Sequence, residues 1–265
     1  MPPMLIAHLT DTHIVRPGTL FAGRFDTLAA LDRAVPRLAA LRPRPDLLVV
    51  SGDLAEEGTP EVYAILAERL ARIGLPMLAV PGNHDVREAM AAALPEATGT
   101  IAGGFLCSMR AFGAGVVIGL DTLAPDGASH GELCERRLAW LEERLRETQG
   151  RERLIVMHHP PFTTGLAAMD AIGLRRGTAE LAALLAAHPG TQAILCGHVH
   201  RAIQASIAGV PIRLAPSASH AMDFDLDPAA PYRFKREPAQ FMLHLWDQGE
   251  GVVSHTLFVE EHPDL

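Results

Sequence analysis

The sequence predicts an α/β fold in which strands and helices alternate before a β-rich tail. Between residues 4 and 196, short apolar runs alternate with longer amphipathic runs, which is typical of βαβ units. Beyond residue 197, the helical periodicity ends and short strand-like runs are separated by turn residues. Polar side chains also recur directly after the apolar runs, where the sheets of α/β proteins carry their binding sites.

Each apolar run of the alternating part has the length of a buried strand, and each amphipathic run has the length of a helix. The predicted strands cover residues 4–9, 46–51, 76–81, 115–122, 153–159 and 192–196. The predicted helices cover residues 27–41, 59–74, 86–94, 131–148 and 178–189. Pro36 predicts a kink in the first helix. Thr59 predicts the N-cap of the second helix, Pro60 its first turn and Gly74 its end.

The tail is predicted to consist of short strands joined by turns. These strands cover residues 201–209, 210–216, 240–248 and 251–260. The proline-rich segment 220–239 separates them and is predicted to be a long loop. Long ordered loops of this kind are often functional or lie in interfaces.

Composition limits the class of protein. With 265 residues and 48% hydrophobic residues, the chain can bury one sizeable core, so we expect a single domain over residues 1–265. A net charge of −8 without any basic run argues against binding of a nucleic-acid polymer. The sequence has no apolar run long enough to span a bilayer and no signal peptide at its start, so no membrane association and a cytoplasmic location are expected. The three cysteines are scattered and predict neither a disulfide framework nor a thiolate metal site.

Side chains that can bind a metal ion follow five of the predicted strands. Because the carboxyl ends of strands meet at one edge of an α/β sheet, we expect these side chains to converge. His198 and His200 are two residues apart, so an extended backbone would direct both to the same face. The convergent residues are Asp11, His13, Asp53, Asn83, His84, Asp85, His158, His159, His198 and His200.

Histidine, aspartate and asparagine without cysteine are ligands that suit Mn, Fe or Zn. The set is too large for one tetrahedral ion and fits two divalent ions that share a bridging aspartate. Two such ions would outweigh the charge of two aspartates and leave the site positive. A phosphate group could then bind there despite the negative charge of the whole chain.

Five sequence blocks resemble those of the calcineurin-like metallophosphoesterases. The blocks "DTH", "GDL…G", "PGNHD", "MHHPP" and "GHVH" occur in the family's order between residues 8 and 200. Within that family, the chain is similar to class III cyclic nucleotide phosphodiesterases and bacterial glycerophosphodiesterases. The resemblance implies a four-layer α/β/β/α sandwich with two mixed sheets flanked by helices. It also implies that the β-rich tail completes the second sheet.

The same resemblance implies how two divalent ions (Mn, Fe or Zn, including a mixed Fe/Mn pair) are held. One ion would be bound by Asp11, His13, Asp53 and His200. The other would be bound by Asp53, Asn83, His158 and His198. Spacing alone does not distinguish His158 from His159, and the resemblance favours His158. His159 would then lie behind the site and pack on the prolines that follow it.

Other residues are expected to act on the substrate. The resemblance implies that Asn83 and His84 contact the phosphate, that His84 acts as general acid, and that Asp85 orients His84. His220 follows a predicted strand and is a further candidate for substrate binding. Glu56 and Glu57, in contrast, are interpreted as solvated acids ahead of a helix. His8 is interpreted as a core histidine, and His244 shows no pattern that predicts a role.

The predicted function is hydrolysis of small phosphodiesters by attack of a hydroxide that bridges the two ions. Cyclic nucleotides, either 3′,5′-cyclic AMP or 2′,3′-cyclic nucleotides, are the expected substrates. The alternatives are a glycerophosphodiesterase or a broad-specificity mono- and diesterase, and then a non-catalytic scaffold or a nuclease. The segments 99–114 and 220–239 are predicted to form a cap or a dimer contact, within a homo-oligomer that is a dimer or larger.

Overall fold

A computed structural model of the chain describes residues 3–113, 115–125, 127–247 and 249–261. The strands are β1 Met4–Leu9, β2 Leu47–Val50, β3 Met77–Ala79, β4 Ser108–Phe112, β5 Gly115–Leu120, β6 Gly131–Glu132, β7 Arg153–Met157, β8 Leu174–Arg176, β9 Thr191–Cys196, β10 Ile203–Ile207, β11 Val210–Leu214, β12 Ala221–Met222, β13 Phe234–Lys235, β14 Gln240–Asp247 and β15 Gly251–Phe258. The helices are α1 Thr27–Ala39, α2 Pro60–Ala71, α3 Arg87–Ala93, α4 Glu135–Glu147, α5 Ala167–Asp170 and α6 Thr178–Ala187.

Two mixed sheets form the centre of the fold. The first has the strand order β15-β14-β1-β2-β3, with β1, β2 and β3 parallel and the two tail strands antiparallel. The second has the order β10-β11-β9-β7-β5-β4, with four parallel strands between antiparallel edges. Two short ladders, β6-β8 and β12-β13, lie outside these sheets.

Successive side chains along the strands pack in different apolar clusters, which shows that the two sheets pack face to face. In β1 and β2, Ile6 and Val49 share an apolar cluster with residues of the second sheet such as Val156. The intervening side chains, such as Leu48, instead pack against helices α1, α2 and α3. The second sheet likewise turns Ile155 and its equivalents toward α4 and α6. Side chains that alternate between two cores produce the four layers that were predicted.

A chain of hydrogen bonds runs across the strands of the first sheet, on the face that is turned toward the second sheet. His8 Nδ1 lies 3.1 Å from His244 Nε2, and His8 Nε2 lies 2.7 Å from Ser51 Oγ. His244 Nδ1 lies 2.8 Å from Ser254 Oγ. His8 is therefore the satisfied core histidine that was predicted, and His244 is its buried partner.

The helix boundaries follow the predicted signals closely. The Thr59 side chain accepts a hydrogen bond from the Val62 amide at the start of α2, and Gly74 adopts a φ of +70° just after its end. Helix α1 continues through Pro36. Helix α4 begins four residues later than predicted, because Gly131 and Glu132 pair with β8 before the helix starts.

The tail differs from its prediction. Strands β10 and β11 extend the second sheet, whereas β14 and β15 extend the first, so the tail completes both sheets. Within segment 99–114, residues 108–112 form the edge strand β4. Within segment 220–239, residues 221–222 and 234–235 form a small hairpin ladder. In the described ranges, no helix combines the length and apolar character needed to cross a membrane.

Candidate functional site

The seven predicted ion ligands converge in the structure. They follow strands β1, β2 and β3 of the first sheet and strands β7 and β9 of the second, at the carboxyl ends of those strands. We refer to them together as the ligand set: Asp11, His13, Asp53, Asn83, His158, His198 and His200. Both sheets supply members, so the site lies where their edges meet. Except for Asn83, these side chains are almost completely buried.

Five members of the ligand set have left-handed backbone conformations. The φ angles are 51° for Asp11, 42° for His13, 52° for Asp53, 74° for His198 and 56° for His200. Such angles are uncommon for residues with a Cβ and persist where the surroundings over-determine them. Backbone hydrogen bonds link the loops here, since the amides of Asp11 and His13 donate to Gly52 and Asp53 carbonyls at 3.0 and 2.9 Å. The backbone strain is thus concentrated at the residues that would hold ions.

A glycine allows the two sheets to approach at this point. A Cβ at Gly197 would collide with Thr10 Oγ1 and lie 2.7 Å from Asp11 Oδ2. The absence of a side chain there lets the His198 amide donate to both carboxylate oxygens of Asp11 at 3.0 Å. This contact joins β1 of the first sheet to β9 of the second.

The first group of ligand atoms comes from Asp11, His13, Asp53 and His200. His13 Nε2 and His200 Nε2 are 3.1 Å apart, and His200 Nε2 lies 3.3 Å from Asp11 Oδ1. His13 Nε2 lies 3.6 Å from Asp53 Oδ2. All four ligand atoms lie within 4.8 Å of one another. Two carboxylates and two imidazoles at this spacing are suited to one divalent ion.

The second group shares Asp53 with the first. Asp53 Oδ2 lies 3.2 Å from His158 Nε2, which in turn lies 3.2 Å from His198 Nδ1. Asn83 Oδ1 is buried and accepts no hydrogen bond from any described residue. An oxygen atom in that state is unfavourable unless something binds it. The Asp53 carboxylate therefore lies between two groups of ligand atoms, as a bridging ligand must.

The hydrogen bonds made by the Nδ1 atoms of His13 and His158 suit these rings to binding a cation through Nε2. His13 Nδ1 contacts Glu56 at 2.7 Å, and His158 Nδ1 contacts the Ser51 carbonyl at 2.7 Å. With Nδ1–H donating in each case, both Nε2 atoms present lone pairs toward Asp53. Burial lowers the pKa of His158, but the adjacent Asp53 charge outweighs burial and raises that pKa to about 9. Positive charge, from a proton or a metal ion, is thus stabilised between these atoms.

His158 and His159 point to different places. His158 contacts Asp53, whereas His159 Nδ1 lies 2.8 Å from Thr122 Oγ1 and its Nε2 lies 3.3 Å from the Ser129 carbonyl. Burial lowers the pKa of His159 well below its usual value, and nearby histidines lower it further. The geometry therefore favours His158 as the ion ligand.

Glu56 links the ligand set to His84 and was missed by the sequence analysis. Its Oε2 atom lies 2.7 Å from His13 Nδ1 and 3.0 Å from His84 Nδ1. Although burial opposes ionisation, these two histidines lower the pKa of Glu56 to about 2. Burial similarly disfavours the charged form of His84, but hydrogen bonding to Glu56 and the charge of Asp53 raise the His84 pKa to about 9. Glu56 is therefore not the solvated acid that was predicted.

Asp85 holds the backbone and does not contact the His84 ring. It accepts hydrogen bonds from Tyr63 Oη at 2.6 Å, the Gly82 amide at 2.9 Å and the Leu54 amide at 3.1 Å. Burial, and then the charge of Asp53, raise the pKa of Asp85 to about 6. Asp85 thus ties the loop after β2 to the turn after β3, and Glu56 occupies the position beside His84 that the resemblance implied for Asp85.

His220 lies next to the first group of ligand atoms, in an aromatic environment, and lines a cavity together with His200. Its ring stacks on Phe21 with centroids 4.5 Å apart and contacts the His200 ring at 4.6 Å. Its Nδ1 lies 2.7 Å from Ser219 Oγ, and its Nε2 is buried without a described partner. Burial, followed by the nearby His200 and His13, lowers the pKa of His220. His220 is thus neutral and close to the ligand set.

Arg87 fastens the His84 turn to the second sheet. It donates to both carboxylate oxygens of Asp121, at 2.7 and 3.1 Å, and to the Leu123 carbonyl at 2.9 Å. Asp121 is fully buried at the end of β5 and also contacts Arg137 at 3.6 Å. Arg87 begins α3, directly after the His84–Asp85 turn. The bidentate pair therefore holds the two sheets together beside the site.

Comparison with known proteins identifies the family. The family model for calcineurin-like phosphoesterases matches residues 4–202. A probable glycerophosphodiester phosphodiesterase, GpdQ of Arcobacter nitrofigilis, is 32% identical over 256 residues, which cover 97% of this chain and 93% of that protein. The 3′,5′-cyclic adenosine monophosphate phosphodiesterase CpdA of Escherichia coli K12 is 34% identical over 240 residues, covering 85% and 82%.

A solved structure supports the same assignment at the level of the fold. A dimetal phosphatase from Danio rerio superposes with a TM-score of 0.69 at 13% identity, over 98% of this chain and 100% of that chain. The family model spans most of this chain, and the two relatives align along most of their own lengths. The chain belongs to the calcineurin-like phosphoesterase family.

Proposed function

We propose that the protein is a metal-dependent phosphodiesterase that hydrolyses small phosphodiesters, with cyclic nucleotides as its principal substrates. The observation that carries this proposal is the buried Asp53 carboxylate between two groups of ligand atoms. The relatives support it, because the names of both describe phosphodiesterases of small molecules. A net charge of −8 argues against a nuclease that binds a long polyanion.

Two divalent ions, for which Mn, Fe and Zn are the candidates, would supply Lewis-acid activation of water and of the phosphoryl oxygens. Asp11, His13, Asp53 and His200 would hold one ion, and Asp53, Asn83, His158 and His198 the other. The ligand set contains imidazole, carboxylate and amide groups without thiolate, which is consistent with these metals.

His84 is proposed to protonate the leaving oxygen of the diester. Glu56 contacts the Nδ1 side at 3.0 Å, and hydrogen bonding to this carboxylate favours the protonated ring. The side chain is 34% exposed, so a substrate can reach it. Asn83 and His220, which lie at the same site, are proposed to contact the substrate as well.

A substrate panel tests the proposed function. Protein loaded with Mn²⁺ should be compared on 3′,5′-cyclic AMP, 2′,3′-cyclic AMP, glycerophosphocholine, bis-p-nitrophenyl phosphate and p-nitrophenyl phosphate. We expect the diesters to be hydrolysed with higher kcat/KM than the monoester, and the cyclic nucleotides to be better substrates than glycerophosphocholine. Activity on the monoester alone, or on no phosphate ester, would contradict the proposal.

A glycerophosphodiesterase is the second candidate function. The Arcobacter relative that is named for this activity covers nearly the whole chain, which favours it. A higher kcat/KM for glycerophosphocholine than for both cyclic nucleotides in the same panel would establish this alternative. A non-catalytic scaffold is less well supported, because both groups of ligand atoms are intact.

We also expect a homo-oligomer in the cytoplasm, a dimer or larger. Strand β4 at the edge of the second sheet offers backbone groups for pairing with another copy. Light scattering coupled to size-exclusion chromatography should give a multiple of the 28.4 kDa chain mass, and a monomer at micromolar concentration would contradict this expectation.

A further inference from the structure

Exposed apolar side chains cluster in the segments that carry the site. The exposed large hydrophobic side chains of the loops that follow His13 and His84 and of one hairpin of the tail are called the apolar rim here: Leu20, Val86, Phe224, Leu226 and Tyr232. Leu20 lies in the loop after His13, and Val86 lies two residues after His84. The other three lie in the hairpin. Exposed apolar side chains in segments that adjoin a polar site are typical of a surface that binds a ligand.

The hairpin of residues 221–235, called the cap hairpin here, extends from the ligand set to the rim. Near its base, Phe234 stacks on the His200 ring, with centroids 6.1 Å apart and planes inclined by 23°. The Tyr232 ring packs edge-on against Phe234 at 5.0 Å. One aromatic ring therefore separates Tyr232 from an ion ligand. Partial burial, and then the charges of Asp53, Asp11 and Glu56, raise the pKa of Tyr232, so its hydroxyl is electrostatically coupled to the site.

The cap hairpin is not suited to binding phosphate, because its positive charges are already paired. Arg233 contacts Asp223 at 3.0 Å and Asp225 at 3.3 Å, and Lys235 contacts Asp223 at 2.5 Å. The Asp223 amide also donates to the Arg233 carbonyl at 2.8 Å, which closes the hairpin. What the hairpin offers a ligand is its exposed hydrophobic surface: Tyr232 is 48% exposed and Phe224 is 63% exposed.

The tip of the cap hairpin approaches the loop that follows His158 and His159. A Cβ at Gly165 would lie 3.3 Å from Leu226 Cδ2, so the hairpin reaches over this loop. A small cavity between them is lined by Leu166 and Met169 on one side and by Tyr232 on the other. The hairpin is thus supported at both ends, and Tyr232 and Phe234 lie on the side of the ligand set.

We propose that the apolar rim binds the base of a cyclic nucleotide, with Tyr232 as the stacking residue. This inference rests on the proposed diesterase function and specifies the group attached to the phosphodiester. Every nucleobase has a planar π face, which stacks well on tyrosine or phenylalanine. A glycerol group has no such face and would gain little from these rings.

The test compares two cyclic phosphates that differ only in the base. The substrates are 3′,5′-cyclic AMP and methyl riboside 3′,5′-cyclic phosphate, which carries a methoxy group in place of adenine. For Tyr232→Ala, we expect KM for cyclic AMP to rise about 10-fold, the loss of one base-stacking contact, with kcat within about twofold. KM for the methyl riboside should not change. Tyr232→Phe should retain the wild-type preference, because it keeps the ring.

Phe258→Ala is the matched control, since Phe258 is an exposed aromatic residue of β15 outside the cap hairpin. Its kinetics should equal those of the wild type on both substrates. If Tyr232→Ala changes KM equally for both substrates, or for neither, the proposed base site is wrong.

Failure of the proposed function has a different signature. If the wild type hydrolyses no diester, the binding of adenosine 5′-monophosphate to the Mn²⁺-loaded protein is measured by calorimetry. Weaker binding to Tyr232→Ala than to the wild type would still support the base site. Equal binding to both would overturn it.

Discussion

The ligand set and the apolar rim lie side by side, but the chain holds them in different ways. Ligands such as Asp11 and His198 are buried, have left-handed backbones and are bonded between the two sheets. The rim side chains are partly exposed, and three of them depend on one hairpin outside both sheets. The difference indicates that ion binding requires rigid placement of the ligand side chains. The choice of substrate, in our proposal, depends on the cap hairpin, which lies outside both sheets.

Removing the charge of Asp53 should have the largest effect, because its carboxylate faces both groups of ligand atoms. We expect Asp53→Asn to lower kcat/KM on any diester by roughly 1000-fold or more and to release metal. Elemental analysis of the dialysed protein measures the second effect. Asp32→Asn on the surface of α1, whose side chain pairs with Arg69, is the control and should retain wild-type metal content. Retention of two ions per chain by Asp53→Asn would show that Asp53 is not shared.

His84→Ala tests whether the rigid part of the site also supplies a proton. We expect a loss of about 100-fold or more for substrates with alkoxide leaving groups, such as cyclic AMP. Bis-p-nitrophenyl phosphate should lose much less, because p-nitrophenolate needs no proton to depart. Equal losses on both substrates would remove the general-acid role and leave His84 as a phosphate contact only.

Glu56→Gln should have an intermediate effect, because Glu56 acts through His13 and His84. Loss of a carboxylate behind a metal-ligating histidine typically costs about 10- to 100-fold in metal affinity or activity. The adjacent Glu57→Gln is a matched control, since Glu57 pairs with Arg16 at the surface at 2.8 Å. Measuring activity during a titration with Mn²⁺ gives the apparent metal affinity of each variant. If the two variants are alike, Glu56 does not support the site.

His244→Gln should have the smallest effect on catalysis and instead change how stability depends on pH. Burial, followed by nearby positive charge, lowers the pKa of His244 to about 3. The unfolded chain therefore binds a proton below pH 6.5 that the folded chain does not, and folding stability falls as pH falls from 6.5 toward 3. For this residue the loss between pH 7 and pH 5 is about 2 kcal/mol.

Urea unfolding of the metal-free protein at the two pH values measures this contribution. The difference in the free energy of unfolding should be smaller for His244→Gln than for the wild type. His188→Gln, at the C-cap of α6 and not among the groups that lower the His244 pKa, is the control and should leave the difference unchanged. If His244→Gln unfolds with the wild-type pH dependence, the buried histidine chain does not contribute to acid sensitivity.

The convergence of the ligand set could be predicted from the sequence, whereas the rim could not, for a physical reason. Residues such as Asp11 and His13 directly follow short apolar strands, and parallel strands bring their carboxyl ends together whatever the details of packing. The sequence could not show in this way which of Glu56 and Glu57 contacts the site. The two residues are of the same type and adjacent in one loop, and only the local backbone conformation decides which side chain points toward the ligands. Tyr232 belongs to a hairpin whose ladder is two residues long on each side, which is too short to leave a periodic pattern.

The sequence pattern also could not predict that the tail strands are divided between the two sheets. The strand-like runs were recognised, but alternation does not state which sheet an antiparallel strand joins. In the structure β14 pairs with β1 across more than two hundred residues of sequence, with Ile6 opposite His244. β11 instead pairs with β9, from which only β10 separates it in the chain, with Ile212 opposite Ile194. The four-layer arrangement itself came from the resemblance, and alternation of the strand residues between two cores agrees with it.

The pairing of β1 with β14 has a consequence for how the protein is made. Strand β1 leads directly to Asp11 and His13, yet one of its two neighbours, β14, lies more than two hundred residues further along the chain. Until residues 240–247 pair with β1, the first sheet has an open edge next to the site. Contacts so distant along the chain form slowly because loop closure must precede them. The first sheet is therefore completed late in folding, and its open edge has to be shielded from other strands until then.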